Sequence, residues 1–179
     1  MVDSATLRTW LYRMVYLVTC CVIIFFHLIP LQTMFGRWPA PDLISSLTFA
    51  WILRRPEYVP VLMIAAVMFL ADMLLLRPPG LQAAFIVIGA EFLRRRWHLM
   101  RELPFWMEWA VVAGVLVAIV IGQRLLLTIA MLERPSMSLT LLQLLATILS
   151  YPLVVFATRN IFGVQKSAPG AVDALGHRI

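Results

Sequence analysis

The chain has 179 residues, of which 62% are hydrophobic and only 13% are charged, and its mean hydropathy is +0.90. A soluble domain of this length cannot bury so much apolar surface, so the composition excludes a soluble globular protein. The formal net charge of +6 does not indicate nucleic-acid binding, because the arginines lie in short tracts between apolar runs. That arrangement is typical of membrane topology, and we expect a membrane protein without a nucleic-acid partner.

Six apolar runs predict an all-α bundle of six transmembrane helices, in a single domain over residues 1–166. In chain order, the runs cover residues 11–29, 43–53, 59–76, 81–93, 105–132 and 139–161. The second and fourth runs extend only about 17 to 20 Å along a helix, against a bilayer core of about 30 Å. They must therefore borrow length from their flanks or lie in a thinned bilayer. Residues 167–179 have no apolar period and are expected to form a disordered cytoplasmic tail.

The distribution of basic residues favours cytoplasmic N- and C-termini if all six runs cross the bilayer. Eleven basic residues then lie inside and three outside. The inner group is Arg8, Arg13, Arg54, Arg55, Arg94, Arg95, Arg96, Arg101, Arg159, Lys166 and Arg178, and the outer group is Arg37, Arg77 and Arg134. In an alternative topology the second run dips and returns and the N-terminus lies outside, which still gives ten inside and four outside. Charge alone barely distinguishes these two topologies.

The second run lies in the stretch PAPDLISSLTFAWILRRPEY, whose local chemistry favours a crossing helix. Pro41 suits the first helical position, and Asp42 complements the positive end of the helix dipole. Arg54 and Arg55 complement the negative end. We therefore expect this short run to cross the membrane.

Two ionisable residues are predicted to lie within the bundle. Asp72 lies about 6 Å inside the outer end of the third run and Arg124 about 28 Å along the fifth, so that the two reach a similar depth. Since an unpaired charge at depth costs several kcal/mol, we predict a structural ion pair between Asp72 and Arg124. Alternatively, Asp72 extends towards Arg77 or headgroup water. Together with Gln123 and Gln143, the same residues could instead line the polar pocket of a transporter.

The tract RRRWHLMRELPFW follows the fourth run and combines arginines with aromatic residues. Glu91 precedes Arg95 by four residues, which predicts a solvated pair on one helix face. Such a tract is expected to lie along an anionic inner leaflet or to dock a cytoplasmic partner. The basic residues that we assign to topology and to the lipid surface are Arg54, Arg55, Arg94, Arg95, Arg96 and Arg101.

Sequence motifs of enzymes and metal sites are missing from this chain. It has no H-E-x-x-H helix, no G-x-S-x-G elbow, no phosphate-binding glycine loop and no pair of acids placed to act on one substrate. Cys20, Cys21 and His27 match none of the usual metal-ligand spacings, and the cysteines are expected to serve packing. We therefore expect neither catalysis nor a cofactor or metal.

Several motifs in fixed order resemble the MreD family of bacterial rod shape-determining membrane proteins. They comprise HLIPL closing the first helix, a Pro-x-Asp opening of a short second helix, a charged turn containing proline, and an acid late in the third helix followed by a glycine. The last span, LLATILSYPLVVFATRNIFG, has the mid-helix Tyr-Pro of that family followed by basic residues. The resemblance departs from the family pattern at the turn LLRPPGLQA, where members often carry a Gly-rich Asp-x-x-x-Gly turn, and in a third helix without glycine.

The resemblance implies a non-enzymatic scaffold in the bacterial inner membrane. Family membership would imply binding to the bitopic protein MreC, in a larger complex with RodA, a class B penicillin-binding transpeptidase and MreB, and an effect on peptidoglycan synthesis and rod cell shape. The motif positions Pro41, Asp42, Asp72 and Gly80 are the candidate partner-binding residues. The thin face expected beside the short second and fourth helices is the candidate surface for a partner helix.

The resemblance also implies a fold similar to the vitamin-binding S-components of energy-coupling-factor transporters. A small-molecule binding subunit of a transporter is therefore the alternative function. S-components dock through an Ala-x-x-x-Ala pattern on the first helix. The first span here, LYRMVYLVTCCVIIFFHLIP, contains neither alanine nor glycine, which favours the scaffold.

Overall fold

The computed structural model describes residues 4–29, 39–132 and 136–163, and this part of the chain is helical without strands. The predicted tail over 167–179 lies outside the described residues. The helices are α1 (Ser4–Leu28), α2 (Leu43–Arg54), α3 (Val61–Leu74), α4 (Leu81–Arg95), α5 (Trp97–Glu102), α6 (Phe105–Ile129) and α7 (Met137–Phe162), with a 3₁₀ turn over Pro56–Tyr58.

The six predicted apolar runs all form helices, so the all-α prediction is confirmed. The short helix α5 was not predicted, and it arises where the basic tract folds back before α6. Within the described residues, three helices, α1, α6 and α7, are long and apolar enough to cross a membrane, while α2 and α3 are shorter apolar helices. The chain is thus a membrane protein by the length and composition of its helices, and the count of six crossings stays a prediction.

The short helix α2 is the centre of the bundle. Each residue from Ile44 to Arg54 is buried, and α2 packs against α7, α4 and α1. Trp51 and Phe49 are fully buried. The helix is too short to span the bilayer core in contact with lipid, but its apolar side chains pack against other helices instead. The predicted thin face therefore does not expose α2 itself, and its part beside α4 stays a prediction.

Opposite ends of α2 carry different chemistry. Arg13 of α1 donates to the carbonyl of Glu57 (3.3 Å), and Arg94 of α4 donates to that of Val59 (2.5 Å), so both lie beside the C-terminus of α2. We call this the arginine end, defined by Arg13, Arg54 and Arg94. The other is the Asp42 end, where the turn between α3 and α4 lies.

That turn reverses the chain through two residues in the left-handed region, Leu76 (φ 54°) and Gly80 (φ 80°). Pro78 and Pro79 lie between them and cannot continue α3. Glycine adopts the left-handed conformation without steric cost, and Gly80 begins α4 as its N-cap residue. The turn thereby sets α4 antiparallel to α3.

The outer surface is apolar over most of the long helices. Large side chains such as Leu11 and Phe25 of α1, Ile121 of α6 and Leu153 of α7 are exposed. In water, such contiguous apolar surface would drive association, whereas in a bilayer it meets lipid tails. This surface agrees with the membrane environment that the composition indicates.

Candidate functional site

A buried ion pair joins α2 to α6 at the arginine end. Arg54 Nη1 donates to Glu108 Oε1 at 3.1 Å and to the carbonyl of Ala50 at 2.9 Å. The hydroxyl of Tyr151 in α7 donates to the same Glu108 oxygen at 2.8 Å. Arg54 is 5% exposed, and Glu108 and Tyr151 are fully buried. Three helices therefore converge on one carboxylate.

Both charges in this pair occupy helix termini that suit them. Glu108 lies in the first turn of α6, where an acid complements the positive dipole end, and Arg54 ends α2, where a cation complements the negative end. Arg54 thus lies at the negative dipole end of α2, as predicted. Its assignment to the lipid surface is wrong, because the side chain turns inward to Glu108. The signal that sequence reasoning missed is Glu108 itself, an acid in an apolar helix that requires a partner.

Two hydrogen bonds join α6 to α7 around the Tyr-Pro pair of α7. Tyr151 reaches Glu108, as described above. Pro152 lies inside α7 and has no N–H to give to the carbonyl of Ile148, four residues before it. The indole Nε1 of Trp109 donates to that carbonyl at 2.9 Å. The neighbouring residues Glu108 and Trp109 of α6 thus bind the hydroxyl of Tyr151 and the carbonyl of Ile148 in α7.

Asp42 organises the opposite end of α2. It is the N-cap residue, and its carboxylate accepts from the backbone N–H (3.2 Å) and the hydroxyl (2.7 Å) of Ser45. Gln82 Nε2 of α4 also donates to it, and the Asp42 backbone N–H donates to Thr147 Oγ1 of α7 at 2.9 Å. The predicted role of Asp42 at the helix start is confirmed, whereas Pro41 precedes the helix and is not its first residue.

Asp72 binds the start of α4, not Arg124. Its Oδ2 accepts from the backbone N–H groups of Gly80 (3.1 Å) and Ala83 (3.2 Å), while Arg124 Nη2 donates to Thr140 Oγ1 at 3.0 Å. The predicted Asp72–Arg124 ion pair is therefore wrong. The physical reason is local, since Gly80, the N-cap residue of α4, lies eight residues after Asp72 and the start of α4 offers unpaired N–H groups within its reach.

The candidate partner-binding residues differ in how far they are exposed. Asp72 is 1% exposed, so its side chain serves the helix junction and is not part of an outer surface. Pro41, Asp42 and Gly80 are half-buried at the Asp42 end, and their role towards a partner stays a prediction.

Two adjoining cavities of about 80 and 200 Å³ lie at the Asp42 end. Both are lined by Gln82, Gln123, Thr140 and Gln143. The predicted polar pocket therefore exists for Gln123 and Gln143, but neither Asp72 nor Arg124 is among its lining residues. Neutral amides and hydroxyls dominate the shared wall, which suits hydrogen bonding to a small polar molecule more than proton transfer.

Three further basic residues that were assigned to the lipid surface, Arg55, Arg95 and Arg96, lie at the arginine end. Arg55 pairs with Glu57 at 3.3 Å. Glu91 pairs with Arg94 at 3.1 Å, so the predicted partner, Arg95, is wrong by one position. Arg95 and Arg96 are exposed, as expected of lipid-surface residues. The side chain of Arg101 lies outside the described residues.

Within the described residues, no group of three or more His, Cys, Asp or Glu side chains is placed to hold a metal ion. Cys20 is buried and Cys21 exposed, and both are free thiols. Comparison with known proteins found no matching family model, no matching curated protein and no matching solved structure.

Proposed function

We propose that this chain is a non-enzymatic scaffold of the bacterial inner membrane, similar to MreD. It binds MreC and helps to organise peptidoglycan synthesis and rod cell shape, together with RodA, a class B penicillin-binding transpeptidase and MreB. The sequence resemblance motivates the proposal. Six crossings with both termini in the cytoplasm belong to it.

One structural observation supports a scaffold in particular: the motif residues brace helix ends. Asp42 of the Pro-x-Asp opening caps α2, Asp72 late in α3 caps α4, and Tyr151 of the Tyr-Pro pair joins α7 to Glu108. Each of these polar side chains is engaged with the protein's own backbone or side chains. Motif residues that hold the bundle together favour a protein that presents a fixed surface to other proteins.

The clustering of basic residues supports the proposed topology. Arg13, Arg54 and Arg94 lie at one end of the bundle, although they belong to three different helices. Basic residues accumulate on the cytoplasmic side of membrane proteins. The arginine end is accordingly the cytoplasmic end in this proposal.

Co-purification tests this function. The tagged chain, expressed in its host at native level, is expected to retain an MreC-like bitopic protein through detergent extraction, whereas a tagged multi-pass protein of similar abundance does not. Depletion of the chain is expected to turn rods into rounded cells. Rods that keep their shape, and a chain that never retains the bitopic protein, would show the proposal to be wrong.

A small-molecule binding subunit, similar to an S-component, is the second candidate, and the cavities shared by Gln123 and Gln143 favour it. Purified chain that captures a metabolite, and loses it in Gln143→Leu, would support this alternative. The scaffold proposal expects Gln143→Leu to retain the bitopic partner as the wild type does. The two functions are thus distinguished by one variant with two measurements.

A further inference from the structure

An apolar groove runs between α4 and α6 on the outer surface of the bundle. Its volume is about 450 Å³, which is within the range of small-molecule sites, about 300 to 1,000 Å³. The lining residues are Phe85, Ile88, Gly89, Phe92 and Arg96 on one side and Val111, Gly114, Val115, Ala118 and Ile119 on the other. The groove contains no residue of the ion pair at the arginine end, and it shares Ile119 alone with the smaller cavity of the Asp42 end.

The groove exists because small residues face it. Gly114 has no atom within 4 Å of the position that a Cβ would take, so its missing side chain leaves open space. Ile88 is 65% exposed in the same wall, which shows that the groove opens outward, towards lipid, and not into the bundle. An acyl chain can therefore enter it sideways from the bilayer.

The charge on the groove lies at one end. Among the described residues that line it, Arg96 is the one charged side chain, and no acid is present. Its guanidinium lies 4.1 Å from the centre of the Phe92 ring and is exposed. A cation at the rim of an apolar groove is complementary to an amphiphile with a negative head and a hydrocarbon tail.

The length of the groove matches the depth of one leaflet, which favours a phospholipid chain over a transmembrane helix. Phe85 precedes Arg96 by eleven residues, which corresponds to about 16 Å along a helix. One leaflet contributes about half of the bilayer core of about 30 Å. The groove therefore has the depth of a single leaflet, as a phospholipid chain anchored at Arg96 requires, whereas a transmembrane helix would need a groove across both leaflets.

We propose that the groove between α4 and α6 binds one anionic phospholipid, with its phosphate at Arg96 and one acyl chain extending to Phe85. The proposal does not depend on the scaffold function. A second copy of the chain or a partner helix in the groove would be a different occupant, and the experiment below distinguishes them.

The test uses the full chain in phosphatidylcholine nanodiscs that contain a small fraction of photoreactive lipid with a diazirine on the acyl chain. Phosphatidylglycerol and phosphatidylcholine probes are compared, and labelled residues are located by mass spectrometry. We expect labelling to concentrate on the groove residues of α4 and α6. The anionic probe is expected to label them about fivefold more, because one arginine near an anionic headgroup is worth about 1 kcal/mol.

Two pairs of variants test the binding of the acyl chain and the preference for the anionic headgroup separately. Gly114→Leu places a side chain in the groove, where a Cβ meets no atom within 4 Å, and should abolish its labelling, whereas Val117→Leu, on the same helix but outside the groove, should not. Arg96→Gln should remove the preference for the anionic probe, whereas the exposed neighbour Arg95→Gln should keep it. Arg96→Gln changes no buried contact, so this arm remains decisive even if Gly114→Leu unfolds.

Labelling spread evenly over the exposed residues of α1, α6 and α7 would overturn the proposal. So would equal labelling by both probes in the wild type. If the groove stays unlabelled while the surrounding surface is labelled, the lipid proposal is wrong and the occupant is a second copy or a partner helix.

Discussion

The indole of Trp109 donates a hydrogen bond to the carbonyl of Ile148, 2.9 Å away in α7. In a regular helix this carbonyl would receive the N–H of the residue four positions later, which here is Pro152. A side chain of the neighbouring helix thus supplies the donor that proline lacks. The proline creates a free acceptor, and that acceptor joins α6 to α7.

Trp109→Phe is expected to destabilise the protein, because it removes the donor and leaves the Ile148 carbonyl in an apolar environment. The cost should be about 1 to 3 kcal/mol, the range for an unsatisfied buried polar group. Thermal unfolding in detergent, followed by circular dichroism, measures the effect.

Pro152→Ala supplies the control for this experiment. Alanine at this position restores the N–H that the Ile148 carbonyl accepts within the helix. Trp109→Phe should therefore cost less in the Pro152→Ala protein than in the wild type. If the cost is the same in both backgrounds, the indole acts through packing alone and the hydrogen bond is unimportant.

Removal of one charge from the ion pair at the arginine end is expected to destabilise the protein more than Trp109→Phe does. Glu108→Leu leaves Arg54 buried without its ion-pair partner, and breaking a buried pair in this way costs about 3 to 5 kcal/mol. Tyr151→Phe removes only the second hydrogen bond to the carboxylate and should cost about 1.5 to 3 kcal/mol. Unfolding temperatures of the purified variants should fall in that order.

The double variant Arg54→Met, Glu108→Leu tests why Glu108→Leu loses stability. Replacement of both charges by apolar residues removes the desolvation cost along with the attraction, so much of the stability should return. A double variant as unstable as Glu108→Leu alone would contradict this account and would indicate that the loss arises from altered packing around α2.

Sequence reasoning predicted the helices well, because long apolar runs bounded by charge, proline or glycine have few other structures available in lipid. It also predicted that Asp42 lies at the positive end of the α2 dipole, which depends only on neighbouring residues, but not that Asp42 is the N-cap residue. The position of α2 at the centre was not predictable in this way. The same apolar side chains satisfy lipid and protein neighbours equally, so hydropathy does not distinguish a buried helix from an outer one.

The candidate site was predicted less well, because it depends on partners distant in the chain. Glu108 lies 54 residues after Arg54, and the sequence around each residue does not indicate that the other is its partner. Depth alone suggested Arg124 as the partner of Asp72, but two backbone N–H groups at the start of α4 bind it instead. Depth arguments place residues in a layer of the membrane, and contacts within that layer depend on packing.

Asp72 variants distinguish the observed junction from the ion pair that depth suggested. Asp72→Asn keeps an oxygen that can accept from Gly80 and Ala83 and should unfold near the wild-type temperature. Asp72→Ala loses this acceptor and should cost about 0.5 to 2 kcal/mol, as for other lost helix caps. Equal losses in both variants, with rescue by charge reversal between Asp72 and Arg124, would instead favour the ion pair.

Two glycines of α6 provide a matched pair for the contact between α4 and α6. A Cβ at Gly122 would lie 2.4 Å from Cε1 of Phe85, whereas a Cβ at Gly114 would meet no atom within 4 Å. Gly114→Ala should therefore gain up to about 1 kcal/mol from the higher helix propensity of alanine. Gly122→Ala should instead cost about 1 to 3 kcal/mol as Phe85 is displaced.

The shorter side chain of Phe85→Leu should relieve the clash, so that Gly122→Ala costs less in that background, as an unfolding measurement on the double variant would show. If Gly122→Ala is as stable as Gly114→Ala in the wild-type background, Phe85 does not pack against α6 at Gly122. Since Phe85 also lines the groove, its displacement in Gly122→Ala should lower lipid labelling there as well. The stability and labelling effects of this variant are thus expected to change together.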